Sequence, residues 1–350
     1  MNIRKQRKTE HLNIALATGD GPCTSGMEDI HLINNSVPEL DLADISTRSL
    51  FLGKTLEYPI LVNALTGGTA EGYDINLELA RVADKYGLAM AVGSQKIAIN
   101  DGELKKTFSI VREINPDGLI LANLSAASGI KEINEAVNMI AADAIQLHFN
   151  IPQELAMQEG ERCFKGILDN VARIADNAPV PIIAKEVGFG FSREAVSKLF
   201  AAGVRIFDTG GKGGTNFIAI EDQRRGQFQG ELDDWGIATA ASLAEITALK
   251  LPITTIASGG IRGAGDAVKA LALGAELVGM ASPFLKALMN GGPELLQEYT
   301  EGFLYRLKSV FLMAGAGDCR QLKTCPLIIT GSTAEWLRAC GIDPHWWAHR

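Results

Sequence analysis

Cysteine is scarce and unpatterned in this chain. The five cysteines stand at 23, 163, 319, 325 and 340; no two form C-x-x-C and none sits at a zinc-type spacing from a histidine. A disulfide framework and a zinc site are therefore not expected, and the cysteines read as reduced thiols of a cytoplasmic protein. No apolar run approaches the ~18 residues that span a bilayer. The N-terminal "MNIRKQRKTEH" is charged with no apolar stretch behind it, so neither a membrane segment nor a secretory signal is expected. Positive charge is in deficit: 33 Lys and Arg face 41 Asp and Glu, a net charge of −8. That argues against nucleic acid as the main partner, although a local basic cluster could hold a small anion. A dinucleotide-binding G-x-G-x-x-G unit with a ribose-binding acid is also missing. What the chain does have is apolar residues, 47% of its 350, against 21% charged, enough for a large core.

Those apolar residues come in a repeating unit: a short strand-like run, a loop of glycine or polar residues, then an amphipathic helical stretch. "PILVNALTGG" (59–68) precedes "YDINLELARVADKYG" (73–87), and seven more such pairs follow, the last being "ELVGMASP" (276–283) before "GPELLQEYTEGFLYRLKSVFLMAG" (292–315). Near-continuous apolar strands suit a parallel sheet covered on both faces. Eight strand–helix units over 59–315 predict one closed (β/α)8 TIM barrel, with an N-terminal extension over 1–58 and a C-terminal extension over 316–350. An open doubly wound sheet is the alternative, since a pattern does not show closure. The stretch 216–234 reads as the longest loop of the barrel and a candidate lid.

Chemistry in such a barrel sits at the C-terminal ends of the strands. There the sequence reads Thr66-Gly67-Gly68, Gly93-Ser94-Gln95, Asn123, His148 with Asn150, Lys185-Glu186, Thr209 through Thr215, Ser258-Gly259-Gly260 and Met280-Ala281-Ser282. In "IASGGIRGAGDAVKALALGA" (256–275) two glycines stand between a strand and a helix. Glycine admits close backbone approach and positive φ, and a helix N-terminus offers unpaired N–H groups. Together with "GMAS" (279–282) this reads as a phosphate cradle, with Arg262 adding charge; the alternative is a plain turn that uses glycine. "DTGGKGGTNF" (208–217) could continue the cradle, with Thr215 as a hydroxyl donor, or serve as a lid hinge. Lys185, mid-strand among apolar neighbours, either points into the mouth, where it could face an electron-rich ring, or forms an ion pair with Glu186 or another strand.

Two further clusters stand out. "RKTEH" places Arg7, Lys8 and His11 within one helical turn, a pattern that can clamp a diphosphate or be a solvated tail. "HFNIPQE" gathers His148, Asn150, Gln153 and Glu154 after the fourth strand. His148 and Asn150 alternate by two and so face one side. Glu154 could supply the single carboxylate that Mg²⁺ takes when phosphate oxygens provide the rest, or the group could be a polar loop cap.

The segment "SGGIRGAGDAVKALALGA" resembles the phosphate-binding segment of FMN-dependent (β/α)8 enzymes. Hydroxyacid oxidases of that class place a histidine in an H-G-G-R-like turn; the matching turn here is Thr209-Gly210-Gly211-Lys212, and no histidine lies between 149 and 344. Inosine monophosphate dehydrogenases need a loop cysteine, and Cys163 sits on the wrong loop. In order, "QRKTEHL", "LTGG", "VGSQ", "ANL", "QLHFNIPQE", "KEVGFG", "GGKGGTNF", "DWGI", "ASGGIRG" and "GMAS" resemble the type 2 isopentenyl diphosphate isomerase family, with Leu65 where that family usually has Met. The resemblance implies FMN held by Thr66, Gly67, Gly68, Ser94, Asn123, Lys185, Thr215, Gly259, Gly260, Arg262, Ala281 and Ser282. It implies an isoprenyl diphosphate held by Arg7, Lys8, His11 and His148, with Lys96 a further candidate. Gln153 would face the isoprenyl carbons as a catalytic residue with His148, and Glu154 would hold Mg²⁺. It also implies a homo-oligomer, tetramer or octamer. The reaction implied moves one C=C bond with no net redox. Reduced FMN, formed with NADPH, would act as acid–base and electrostatic catalyst. The rival readings are an FMN-dependent oxidoreductase with net hydride transfer to an organic substrate, and a non-catalytic phosphate-ligand binding protein.

Overall fold

Eight short strands carry the apolar runs: β1 (Ile60–Val62), β2 (Ala89–Ala91), β3 (Ile120–Ser125), β4 (Ala144–Phe149), β5 (Ile182–Glu186), β6 (Ile206–Asp208), β7 (Thr254–Ser258) and β8 (Leu277–Met280). Each pairs in parallel with the next, and β8 pairs with β1 through Val278–Ile60 and Met280–Val62, so the sheet closes on itself. The protein is therefore a (β/α)8 barrel and not an open sheet. This is a computed structural model, and it describes residues 10, 11, 14, 16, 21–225 and 227–350.

The pleat sorts side chains by parity. Ile60 and Val62 face the surrounding helices, whereas Leu61 joins Ala89, Leu121, Ile183, Ile206 and Ile256 in a separate cluster inside the ring. The helices follow the same logic. Ala70–Tyr86 buries Ile75, Leu79, Val82 and Ala83 on one face; Thr69 caps its start by accepting from the Gly72 amide, and Gly87 at φ 62° ends it. The last helix of the barrel differs in extent from the sequence reading. It spans Ser282–Met313, bent at Gly291-Gly292-Pro293, where Gly292 takes φ 70°.

The extensions have defined work. A hairpin of Ser49–Phe51 and Lys54–Leu56 delivers Phe51 and Leu56 into the inner cluster and plugs the N-terminal end of the barrel. Ile30–Leu32 pairs antiparallel with Leu327–Ile329, joining the two ends of the chain. Beyond it the helix Gly331–Ala339 docks through Trp336, whose Nε1 donates to the buried Glu245 at 2.6 Å. Among the described residues no helix is long and apolar enough to cross a membrane.

The stretch 216–234 is not an extended loop: it contains the nine-residue helix Phe217–Arg225. That helix packs on the short helix Ile151–Ala156 that follows β4. Ala156, Phe189 and Ile218 form a small apolar cluster between the loops after β4, β5 and β6.

Replacing Phe51 with Ala tests the plug. Truncating a buried phenylalanine costs about 3–5 kcal/mol, so the melting temperature should fall by at least ~5 °C with the helical circular dichroism retained at low temperature. An unchanged melting temperature would mean that the hairpin is dispensable to the core.

Candidate active site at the barrel mouth

Above the apolar inner cluster the inward positions of β3, β4, β5, β6 and β7 turn polar, as does Asn63 just after β1, whereas β2 and β8 continue with Ala91 and Gly279. Asp208 at the end of β6 is wholly buried and is the hub. Its Oδ2 accepts from Lys185 Nζ on β5 at 3.0 Å, from Asn63 Nδ2 just after β1 at 2.8 Å and from Gln146 Nε2 on β4 at 3.3 Å. Its Oδ1 accepts from the Ser258 hydroxyl on β7. Gln146 donates also to Asn63 Oδ1 at 2.9 Å and accepts from Asn123 Nδ2 on β3 at 2.9 Å; Asn123 Oδ1 in turn meets His148 Nδ1 at 2.9 Å. A buried charge is tolerated when it is paired and hydrogen-bonded, and this one has four donors, three from β4, β5 and β7 and one from just beyond β1. Of the two readings of Lys185, the structure realises both: it lies inside the barrel near the mouth, and it is paired. Its partner is Asp208 on the neighbouring strand and not Glu186.

The loops after β6 and β7 lie backbone against backbone. A Cβ on Gly259 would stand 2.1 Å from Gly211 O, and one on Gly260 2.3 Å from Gly213 O. Both residues also take positive φ, 103° and 69°. The glycines are thus required by loop-on-loop packing as well as by any ligand. Arg262 staples the same loops, donating to Gly213 O at 2.6 Å and Gly260 O at 3.1 Å. The helices Ala264–Leu273 and Ser282–Met313 both start here, with Gly263 and Ala281 as N-caps and no side-chain cap on either. Thr215, Ala281 and Ser282 are half-buried at this rim. Across the mouth, Gly67 is pressed on Phe108, and the Gly68 amide donates to Thr107 Oγ1 at 2.8 Å. Thr66 is buried beside them, its carbonyl accepting from the Gly93 amide at 3.0 Å, and Ser94 is half-buried.

After β4 the chain turns into Ile151–Ala156. Asn150 Nδ2 donates to Gln153 Oε1 at 3.1 Å and to Glu154 Oε1 at 3.0 Å, and the Glu161 amide donates to Glu154 Oε2 at 2.8 Å. Among the described residues no three His, Cys, Asp or Glu gather as a metal cage. Lys96 is committed to Glu132.

Arg7 and Lys8 lie outside the described residues. His11 is described, and it packs on its own chain's helix Phe217–Arg225. Its Nε2 is 2.6 Å from Glu221 Oε1 and its ring lies edge-on to Phe217. Glu221 and Arg224 are almost fully buried, with Arg224 bonded to Glu221 at 2.6 Å and to Glu10 at 2.8 Å. Burial alone would raise the Glu221 carboxyl; the His11 hydrogen bond and the Arg224 charge outweigh it and hold it below the usual carboxylate range. An open cavity of about 560 Å³ lies at this junction, lined by Glu10, Ile14, Gln158 and Arg224.

The structure thus brings Asn123, His148 and Lys185 into one network and Gln153 and Glu154 onto one neighbouring turn. Thr215, Gly259, Gly260, Arg262, Ala281 and Ser282 line one rim. Sequence reading missed Asn63, Gln146, Asp208 and Ser258 as a set. The signal was available: stepping back by two from His148 reaches Gln146, and each of the others interrupts or ends an apolar strand.

The family model described as FMN-dependent dehydrogenase matches residues 122–328, more than half of the chain. Solved structures agree on the fold. A lactate oxidase of Pediococcus acidilactici superposes with a TM-score of 0.67 at 17% identity, covering 92% of this chain and 87% of that one. A mandelate oxidase bound to (S)-4-hydroxymandelic acid gives 0.65 at 16% identity, covering 91% and 94%. At that identity the likeness is one of fold. The β6 turn here carries Thr209, wholly buried with its hydroxyl on Ser258 O at 3.0 Å, and Lys212, whose Nζ bonds Asp234 O at 2.8 Å. The protein is of the FMN-dependent dehydrogenase class of (β/α)8 barrels.

Three relatives are similar along nearly their whole length. The isopentenyl-diphosphate delta-isomerase of Moorella thermoacetica is 48% identical over 95% of this chain and 96% of its own. That of Symbiobacterium thermophilum is 44% identical over 98% and 97%, and that of Listeria innocua 43% over 95% and 94%. Within its class, the chain belongs to the isopentenyl-diphosphate delta-isomerase family.

Glu186, the last residue of β5, is buried and lies on the opposite face of the strand from Lys185. Its Oε2 accepts from the Phe189 and Gly190 amides at 2.6 and 3.0 Å, holding the loop that packs under the lid helix. Burial pushes its carboxyl up to about 8, against the opposing pull of those amides and of Lys185. Between its ordinary value near 4.5 and about 8, the folded protein keeps a proton that the unfolded chain has released. Stability therefore falls as pH rises through that window. Glu186→Gln keeps the acceptor oxygen and loses the titration. Melting curves at pH 5, 6.5 and 8, with the flavin state held constant, should show the wild type losing stability relative to Glu186→Gln by on the order of 1 kcal/mol or more across the window. Parallel curves would contradict the burial argument.

Proposed function

We infer that the chain catalyses the isomerisation of isopentenyl diphosphate to dimethylallyl diphosphate, a step of isoprenoid biosynthesis. The observation that carries this is the identity of 43–48% over nearly the whole length to enzymes of that name, on a barrel whose mouth suits the chemistry. The terminal alkene carbon gains a proton and the carbon next to the oxygen-bearing one loses one.

The residues present fit FMN. Two helix N-termini without side-chain caps and the glycine loops at 210–214 and 259–260 suit a phosphate. Lys185, whose ammonium has donors beyond the one given to Asp208, would face a planar polar ring, and Asn123 would line it. Thr66, Gly67, Gly68, Ser94, Thr215, Arg262, Ala281 and Ser282 complete the proposed cradle. Reduced FMN, replenished by NADPH, supplies the acid–base and electrostatic power that the side chains of this mouth lack.

The chain's own residues bind and orient. His148 and His11, with Arg7 and Lys8, hold the diphosphate, and the strong donors fix its oxygens. Gln153 is held through its Oε1 by Asn150, which leaves its NH₂ to face the isoprenyl carbons. Glu154 would contribute one carboxylate to Mg²⁺, which would offset the charge of the diphosphate. The lid helix Phe217–Arg225 and the N-terminal segment keep water from a cationic transition state. The same reading makes the enzyme a cytoplasmic homo-oligomer, tetramer or octamer.

The test is direct. The FMN-loaded protein is reduced anaerobically with dithionite, given isopentenyl diphosphate and Mg²⁺, and the products are followed by NMR. Dimethylallyl diphosphate forming while the flavin stays reduced is the expected result. No product, with the flavin reoxidised by another organic substrate, would replace the isomerase with a net hydride-transfer enzyme.

A further inference from the structure

Hydrogen-bonding groups differ in what they can offer. A carboxylate only accepts, an ammonium only donates, a carboxamide accepts on one side and donates on the other, and neutral imidazole does one at each nitrogen. In a closed buried network these rules set every orientation once one end is fixed.

Here two ends are fixed. Asp208 faces Lys185 Nζ, which can only donate. Asn63 is locked by the backbone, because the Ala64 amide donates to its Oδ1 at 2.8 Å, so its Nδ2 must be the atom facing Asp208. Gln146 then lies against two acceptors, Asn63 Oδ1 at 2.9 Å and Asp208 Oδ2 at 3.3 Å, and must present its NH₂ to them. Its Oε1 is left toward Asn123, which answers with Nδ2 at 2.9 Å. That turns Asn123 Oδ1, an acceptor, toward His148 Nδ1 at 2.9 Å. The nitrogen in that contact has to carry the proton.

We propose that Asp208 is a positioning residue that sets the tautomer of His148, acting through Gln146 and Asn123 so that the proton stays on Nδ1 and Nε2 is the nitrogen that exchanges its proton. Neutral histidine in water carries its proton mostly on Nε2, so the network reverses the intrinsic preference. The same carboxylate orients Lys185, so the two ends of the mouth are oriented by one buried charge. Only the use of Nε2, as the atom that meets the substrate diphosphate, rests on the isomerase reading.

The experiment is NMR on FMN-loaded, substrate-free protein labelled with ¹⁵N in histidine. The chain has five histidines, and a His148→Gln sample identifies the signals that belong to His148. At a pH where the ring is neutral, the proposal expects Nδ1 to give the protonated-type signal and Nε2 the pyridine-type signal. Gln146→Leu, checked for folding by circular dichroism and FMN binding, should move the ring to a mixture in which Nε2–H is at least equal. Nε2–H in the wild type overturns the proposal outright, with no variant needed. An unchanged Nδ1–H in a folded Gln146→Leu overturns the role of Asp208. Addition of isopentenyl diphosphate should protonate Nε2; if Nδ1–H is found and Nε2 ignores a substrate that is turned over, the contact to the diphosphate is wrong and the tautomer relay stands. A protein that binds FMN and turns over no isopentenyl diphosphate would sink the isomerase reading while leaving the tautomer result to be read as before.

Discussion

A single carboxylate with no exposure to solvent organises the upper half of this barrel. Asp208 sits directly above an apolar layer that could not solvate it, so it must be satisfied from the sides. Donors come from β5 and β7, its neighbours, and from Asn63 and Gln146 across the barrel. The cost of burying the charge is thereby spread over four donors, and the strand ends, which would otherwise fray, are tied at one height. The arrangement also limits what Lys185 can do. Paired at 3.0 Å, it brings no net charge to the mouth. Under the proposed function its contribution to a bound ring would be a directed N–H, shared with Asp208.

The glycines at the rim belong to a second constraint. Loops after β6 and β7 touch backbone to backbone, with Gly211, Gly213 and Gly214 against Gly259 and Gly260. A side chain at either contact would separate the loops by the width of a methyl group or more. Arg262 then closes the pair through two carbonyls. Packing and phosphate binding are not rivals here. Loops stacked this tightly are rigid before any ligand arrives, and preorganisation of that kind reduces the ordering cost of binding.

The eight strands were legible because parallel strands buried on both faces read as apolar runs ended by Gly, Pro or a polar residue. Closure was not legible, since β8–β1 pairing leaves no mark in either strand. The lid helix was missed for a definite reason. In Phe217–Arg225 the apolar residues crowd the first turn, and the inward positions further on are Glu221 and Arg224. Both are buried as an ion pair, so hydrophobic periodicity had nothing to detect. The polar layer was half-read in the same way. His148, Lys185 and Asn123 stand out at the strand ends, while Asp208 reads only as the first residue of "DTGGKGGTNF" and Gln146 only as part of "QLHFNIPQE".

A lid held by charge behaves differently from one held by apolar contact. The described part of the N-terminal segment joins the lid helix through Glu10–Arg224, His11–Glu221 and the His11–Phe217 ring contact, while Leu16 packs against the main core. Parting the two ion pairs exposes charges that water solvates well. The apolar cluster of Ala156, Phe189 and Ile218 lies one layer deeper and stays covered. Separating those charged contacts leaves that cluster, to which the lid helix itself contributes Ile218, intact. Closed, the cover places Glu221 and Arg224 in nearly complete burial, where a broken pair would be costly. An isomerase that forms a tertiary cation needs both properties, an entrance that tolerates a polyanion and a closed state from which water is excluded. An apolar lid would meet the second need and resist the first.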